Sequence, residues 1–273
     1  MKIVASDVCK GSATELGIAF DLWGVEETMA VVDLAKEADV SVITLHSLGG
    51  PWGVTNFPSD LAQFGVLEGS IPVVFSHASF LTPKDAQLLR ATNHYVSIAP
   101  ESEMHYGHTH PSSVHIQDQA ALGVDTHMTF SSDILTQARL WLQSARYRLY
   151  DAVMQQWKIP ARNPETVNQA FLLATRSGGL ALRRPDLGVI RKGAKADLVV
   201  WNARESPALL GWRDPVAAVL NVMVDGKFVK RGARGARVRA GARGLPEERE
   251  PAAEGLEREA VPYSRGEVLH ERV

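Results

Sequence analysis

His46, His77 and Asp133 are the residues whose types and spacing could do chemistry together. Each follows a short β-type run and precedes a helix-like segment. Residues 40–45 deliver His46, residues 72–76 deliver His77, and residues 125–132 deliver Asp133. In a barrel of parallel strands the carboxyl ends lie on one face, so side chains from separate strands converge there. Two imidazoles and a carboxylate meeting in this way can hold a divalent metal and activate water. The same spacing also suits two surface histidines and an aspartate that caps a helix, and it leaves both readings open.

The elements that must position these residues are readable along the chain. Residues 16–20 read as a buried strand ending at Asp21, and residues 26–38 as an amphipathic helix with Met29, Val32 and Leu34 on its apolar side. The run VSVITL at 40–45 has the continuous β-branched character of a strand covered on both faces. Glycines and prolines in 49–58 make a loop on the side of His46. Thr82, Pro83 and Asp85 form a helix start: an N-cap, a proline at the first helical position and a charge suited to the helix dipole. Residues 95–99 are the next strand, a short helix ends near Leu122 and Gly123, and residues 125–130 read as a further strand. A long helix follows over 134–157, and another runs from 163 to Gly178 and Gly179.

Alternating strands and helices predict a parallel sheet with right-handed crossovers. A closed barrel takes eight such units and about 250 residues; five are readable here. The expected fold class is therefore α/β: an incomplete TIM-like (β/α) barrel in residues 1–180, with unpaired strand edges. Residues 181–231 carry the strands of a partial small β-sandwich, among them a hairpin turning at Asp225-Gly226. Residues 232–273, rich in Ala, Arg, Gly and Glu with few large apolar side chains, read as a disordered tail.

Composition narrows the classes of partner. The chain has 273 residues, 45% of them hydrophobic, and a net charge of -2, a balance that gives no reason to expect nucleic acid. Its single cysteine, Cys9, rules out an internal disulfide framework and fits a reducing compartment. No apolar run reaches the length of a membrane span, and the first residues lack the apolar core of a signal peptide. A cytoplasmic protein with no membrane partner is expected. Open sheet edges predict self-association into a homo-oligomer.

The stretch Ala174-Thr175-Arg176-Ser177-Gly178-Gly179-Leu180-Ala181-Leu182, then Asp186-Leu187-Gly188-Val189-Ile190 and Gly193-Ala194-Lys195-Ala196-Asp197-Leu198-Val199-Val200, resembles the C-terminal signature of the amidohydrolase superfamily. Its members are metal-dependent hydrolases, cytosine-deaminase-like and triazine-hydrolase-like enzymes among them. The resemblance extends back to about Leu16. It implies that His46 and His77 are the histidines after barrel strands five and six, and Asp133 the aspartate after strand eight. By the same resemblance His46, His77 and Asp133 are metal ligands, with zinc the expected ion and iron the alternative. Asp133 would also take the proton from the attacking water, and His77 would polarise the substrate carbonyl.

The resemblance implies a hydrolase acting on carbon–nitrogen bonds, other than peptide bonds, of a small, cyclic substrate. Three departures qualify it. No His-x-His pair precedes Asp21, so the chain is expected to be truncated at its N-terminus, and the alternative reading is an inactive remnant with a binding role only. His108-Thr109-His110 is the pair the chain does contain, in a loop. No carboxylate follows His46 within Ser47–Trp52, which favours amide, ester or lactone hydrolysis over release of an amine; Glu101 and Glu103 remain as proton-carrying loop carboxylates. Residues 214–226 are also about ten residues shorter than the family's usual spacing. Trp23, Trp52 and Phe57 fall in loops where they could stack on a ring-shaped substrate.

Overall fold

The computed structural model describes Cys9, Ser12 and residues 14–21, 25–53, 56–201, 219–224, 227–231 and 234–235. Five strands form one sheet: Gly17–Ala19 (β1), Val42–Ser47 (β2), Val73–His77 (β3), Tyr95–Ile98 (β4) and Ala120–Leu122 (β5). Every neighbouring pair is parallel, and the spatial order β1-β2-β3-β4-β5 is the order in sequence. A doubly wound sheet reverses its order at a switch point. This sheet does not, so it is an arc of a TIM-like barrel, as the alternation predicted.

Helices make the crossovers: Val25–Glu37 (α1) between β1 and β2, Pro58–Gln63 (α2) between β2 and β3, and Pro83–Thr92 (α3) between β3 and β4. Pro100–His105 (α4) follows β4 directly, and two single-turn 3-10 segments then lead into β5. After β5 come Ile134–Met154 (α5), Val167–Ala174 (α6) and Arg176–Ala181 (α7). Thr82 caps α3 as expected, accepting from the Asp85 backbone N–H while the Asp85 carboxylate accepts from the Thr82 N–H.

Ile43, Leu45, Val73, Phe75, Val96 and Ile98 project from the strands into the core, joined by Leu61, Leu89 and Trp141 from the helices. Strand β2 alternates: Ile43, Leu45 and Ser47 are buried, while Val42 and Thr44 are half-buried. Its second face is thus less covered than the β-branched run predicted. On α1 the buried face is Thr28, Val31 and Ala35, and Met29 and Leu34 are exposed, so the apolar side read from sequence is rotated.

Two assignments near the end of the sheet are corrected. Residues expected to end a short helix at Leu122 instead form β5, paired through Val96–Ile98. The run at 125–130, whose apolar and polar residues alternate like a strand, is a turn: Asp125 has φ 64° and Phe130 N–H donates to the Thr126 carbonyl at 3.0 Å. An aspartate tolerates the left-handed region, and that one residue ends the extended path.

A second, antiparallel sheet has the order Leu198–Trp201 (β6), Val219–Val224 (β7), Lys227–Arg231 (β8), Arg234–Gly235 (β9). Val224 pairs with Lys227, so β7 and β8 make the expected hairpin. The ladder reaches Arg234 and Gly235, four residues into the segment expected to be a tail; residues 236–273 lie outside the described residues. Among the described residues no helix is long and apolar enough to cross a membrane.

Candidate metal and water-activating site

His46 is the penultimate residue of β2, and its neighbour across the sheet is Asp21, just past β1. The His46 backbone N–H donates to Asp21 Oδ1 at 2.6 Å, and the ring Nδ1 lies 2.9 Å from Asp21 Oδ2. Asn56 fastens this pair, its side-chain amide donating to the carbonyls of Asp21 and His46. Burial pushes the Asp21 carboxyl up, but the hydrogen bonds and charge of His46 outweigh it and hold the carboxyl below its usual range. Both side chains are about half exposed, 55% for His46 and 49% for Asp21.

His77 ends β3 and repeats the arrangement under cover. Its Nδ1 lies 3.2 Å from Glu103 Oε1, with side-chain exposures of 9% and 2%. Glu103 comes from α4, and the same oxygen accepts the Ala99 backbone N–H at 2.9 Å. Expected in a loop, Glu101 and Glu103 are helical. Glu103 is buried, and Glu101 is tied to Ser131 and Gln137.

The sheet register pairs His46 with Ser76 and Ser47 with His77. Strand alternation alone would send the two histidines to opposite faces. His77, however, has φ 65° and Ala78 has φ 49°. Two consecutive left-handed non-glycine residues cost about 1–3 kcal/mol each. The positive φ at His77 frees its ring from the alternation, and its centroid lies 5.8 Å from that of His46. Strain at this point is what brings the two imidazoles together.

His108 and His110 gather on the same residue. The His108 ring meets His77 edge-on at 5.0 Å and Trp52 at 5.6 Å, and its Nδ1 is 3.0 Å from Ser79 Oγ. His110 Nε2 is hydrogen-bonded to the His77 carbonyl. Burial depresses the pKa of both His108 and His110, and at His108 the neighbouring His77 adds to the effect.

Asp133 stands elsewhere in its bonding. It is the N-cap of α5, with Oδ1 accepting the Thr136 N–H at 2.9 Å and Oδ2 the Thr136 hydroxyl. No hydrogen bond joins it to His46 or His77. The aspartate that follows β5 as His46 and His77 end their strands is Asp125, three residues past Leu122, where Ser102 Oγ donates to its Oδ2. Among the described residues no three His, Cys, Asp or Glu side chains cluster closely enough to hold a metal ion. His46 and His77 nevertheless have the donor chemistry for one. Each ring's hydrogen bond is at Nδ1, to a carboxylate, and among the described residues Nε2 has no hydrogen-bond partner. That is how proteins orient metal-binding imidazoles. The residues present fit a divalent ion as two of its ligands.

The parallel sheet, with histidines at its carboxyl edge, is that of a partial TIM-like barrel. Residues 17–229 match the profile of the Amidohydrolase family, and the chain belongs to it. It is similar to the imidazolonepropionase of Anaeromyxobacter sp. (strain K), 44% identical over 64 residues that make up 23% of this chain and 15% of that protein. With the imidazolonepropionase of Cutibacterium acnes it shares 29% identity over 159 residues, 56% of this chain and 35% of the other. An adenosine deaminase from Xanthomonas campestris, solved with bound zinc, has the same fold over 83% of this chain and 54% of its own, at a TM-score of 0.64 and 18% identity. The chain thus spans about half of that structure and less of the two curated relatives.

Proposed function

We propose that this chain is a metal-dependent hydrolase acting on a carbon–nitrogen bond, other than a peptide bond, of a small cyclic substrate. One observation carries the reading. Two histidines at the carboxyl ends of adjacent parallel strands each have Nδ1 on a carboxylate and Nε2 unpartnered, with ring centroids 5.8 Å apart. A divalent ion, zinc foremost, would be held by the two Nε2 atoms and would supply a bound water of lowered pKa. The names of the relatives support the bond class: imidazolonepropionases and a deaminase.

An aspartate completes the set as proton acceptor for the attacking water and as a further ligand. Asp133 was the residue expected from sequence, but both its oxygens hold the first turn of α5. Asp125 is engaged at Oδ2 alone and is exposed. We assign the role to Asp125 ahead of Asp133. Glu103 and Asp21 keep their imidazoles in the tautomer with the proton on Nδ1, which leaves the Nε2 lone pair free.

The second reading is an inactive chain with a binding role only, and the absence of a three-residue ligand cluster among the described residues favours it. Both are tested on the purified chain with zinc and with guanine and hydantoin as cyclic probes. Zinc bound by the wild type and lost in His46→Ala and His77→Ala supports the site. Undiminished zinc in the double variant overturns it. Zinc bound at these residues with neither probe hydrolysed selects the second reading.

A further inference from the structure

We propose that His110 is a positioning residue for His77: its Nε2–H clamps the His77 carbonyl and so holds the left-handed turn that aims the His77 ring. The inference rests on the proposed metal site, but its geometry stands apart from any ion.

The His77 ring approaches His46 where the backbone leaves the β region at His77, with φ 65°, and Ala78 follows at φ 49°. Such a turn persists only where its surroundings over-determine it. Three contacts do so here. The Ala78 N–H donates to the Ser47 carbonyl at 2.6 Å, Glu103 Oε1 holds the ring at Nδ1, and His110 Nε2 holds the carbonyl. The Ala78 and His110 bonds hold opposite ends of the same peptide plane after His77, and the His110 bond is the one that a side chain supplies.

The chemistry of the bond sets the state of His110. A carbonyl can only accept, so Nε2 must carry the proton. His110 Nδ1 is buried and has no partner. A second proton there would be an unsatisfied buried donor, so the clamp is a neutral imidazole with one fixed tautomer. One short segment thus grips His77 twice, Glu103 on its ring and His110 on its backbone.

The test uses the full chain, isotope-labelled and metal-free, with zinc chloride as the only added probe. In the wild type the His110 ring nitrogens should report the Nε2–H tautomer by NMR; finding the Nδ1–H tautomer overturns the proposal without any variant. His110→Leu should shift the His77 ring signals, leave those of His94 in place, and weaken zinc binding about 10–100-fold. His110→Gln, which keeps a donor, should recover most of that affinity; His110→Asn, too short to reach, should not. Unchanged His77 signals in a folded His110→Leu or His110→Asn protein overturn the clamp. If the wild type binds zinc no better than His46→Ala or His77→Ala, the metal reading fails alone, and the ring signals still decide the clamp.

Discussion

The Nδ1 of His77 and the Oε1 of Glu103 lie 3.2 Å apart where water scarcely reaches, their side chains 9% and 2% exposed. An imidazole so held has its tautomer and its direction chosen by the carboxylate. The same oxygen takes the Ala99 N–H, so Glu103 also closes the junction between β4 and α4.

Glu103→Ala should therefore damage both stability and site. Leaving the His77 ring and the Ala99 N–H without their buried acceptor costs about 3 kcal/mol. Zinc affinity should fall about 10–100-fold. Urea unfolding and zinc competition against a chromophoric chelator measure the two. A stable variant with wild-type zinc affinity would sink the orienting role.

Asp133 and Asp125 separate cap from site. Asp133→Ala removes an N-cap and should cost about 1 kcal/mol of stability, with zinc binding unchanged. Asp125→Asn, which tolerates the left-handed backbone and keeps an acceptor for Ser102 Oγ, should cost less than about 1 kcal/mol of stability and weaken zinc binding and any turnover. The opposite pattern would return the catalytic role to Asp133.

Much of the site is legible in the sequence from the ends of its β-type runs. Polar residues just past β-type runs marked His46 and His77, and the same rule applied to the first strand marks Asp21. It would also have marked Asp125, had Ala120-Ala121-Leu122 read as a strand. Three short residues without β-branching gave no such signal, while the alternating run after Val124 imitated one. Glu103 reads in the sequence only as a loop carboxylate, because its burial depends on a fold that brings α4 against His77. The left-handed backbone at His77 had no sequence signal, since neither His nor Ala announces it as a glycine would.

His94 should make stability fall in mild acid. Its ring is fully buried, Nδ1 accepting the Val73 N–H at 2.9 Å and Nε2 bonded to the Leu67 carbonyl at 2.9 Å, so it folds neutral. Burial depresses its pKa, and the Arg183 charge adds to this. The unfolded chain takes up a proton near pH 6.5, and the folded chain does not until lower pH. Stability is thus complete above about pH 6.5 and declines as pH falls towards the folded value, by up to about 1.4 kcal/mol per pH unit. Buried His108 and His110 tilt the curve the same way. Replacing His94 by Gln should reduce the slope by about one proton's worth in urea titrations between pH 7.5 and 5. An equal slope in wild type and variant would show that His94 is charged in the fold.

Asp21 and His46 copy the Glu103–His77 arrangement in water, and the difference in burial makes a prediction of its own. Their side chains are 49% and 55% exposed. An exposed pair of this kind contributes about 0–1 kcal/mol to stability, so Asp21→Asn should barely move the urea midpoint. The variant's amide nitrogen cannot accept from His46 Nδ1–H, and the ring loses the partner that leaves Nε2 free. Zinc affinity should then fall about tenfold while stability holds, whereas Glu103→Ala loses both. If Asp21→Asn binds zinc within twofold of the wild type, the carboxylate does not orient His46, and the ring is aimed by the β2 backbone and Asn56 alone.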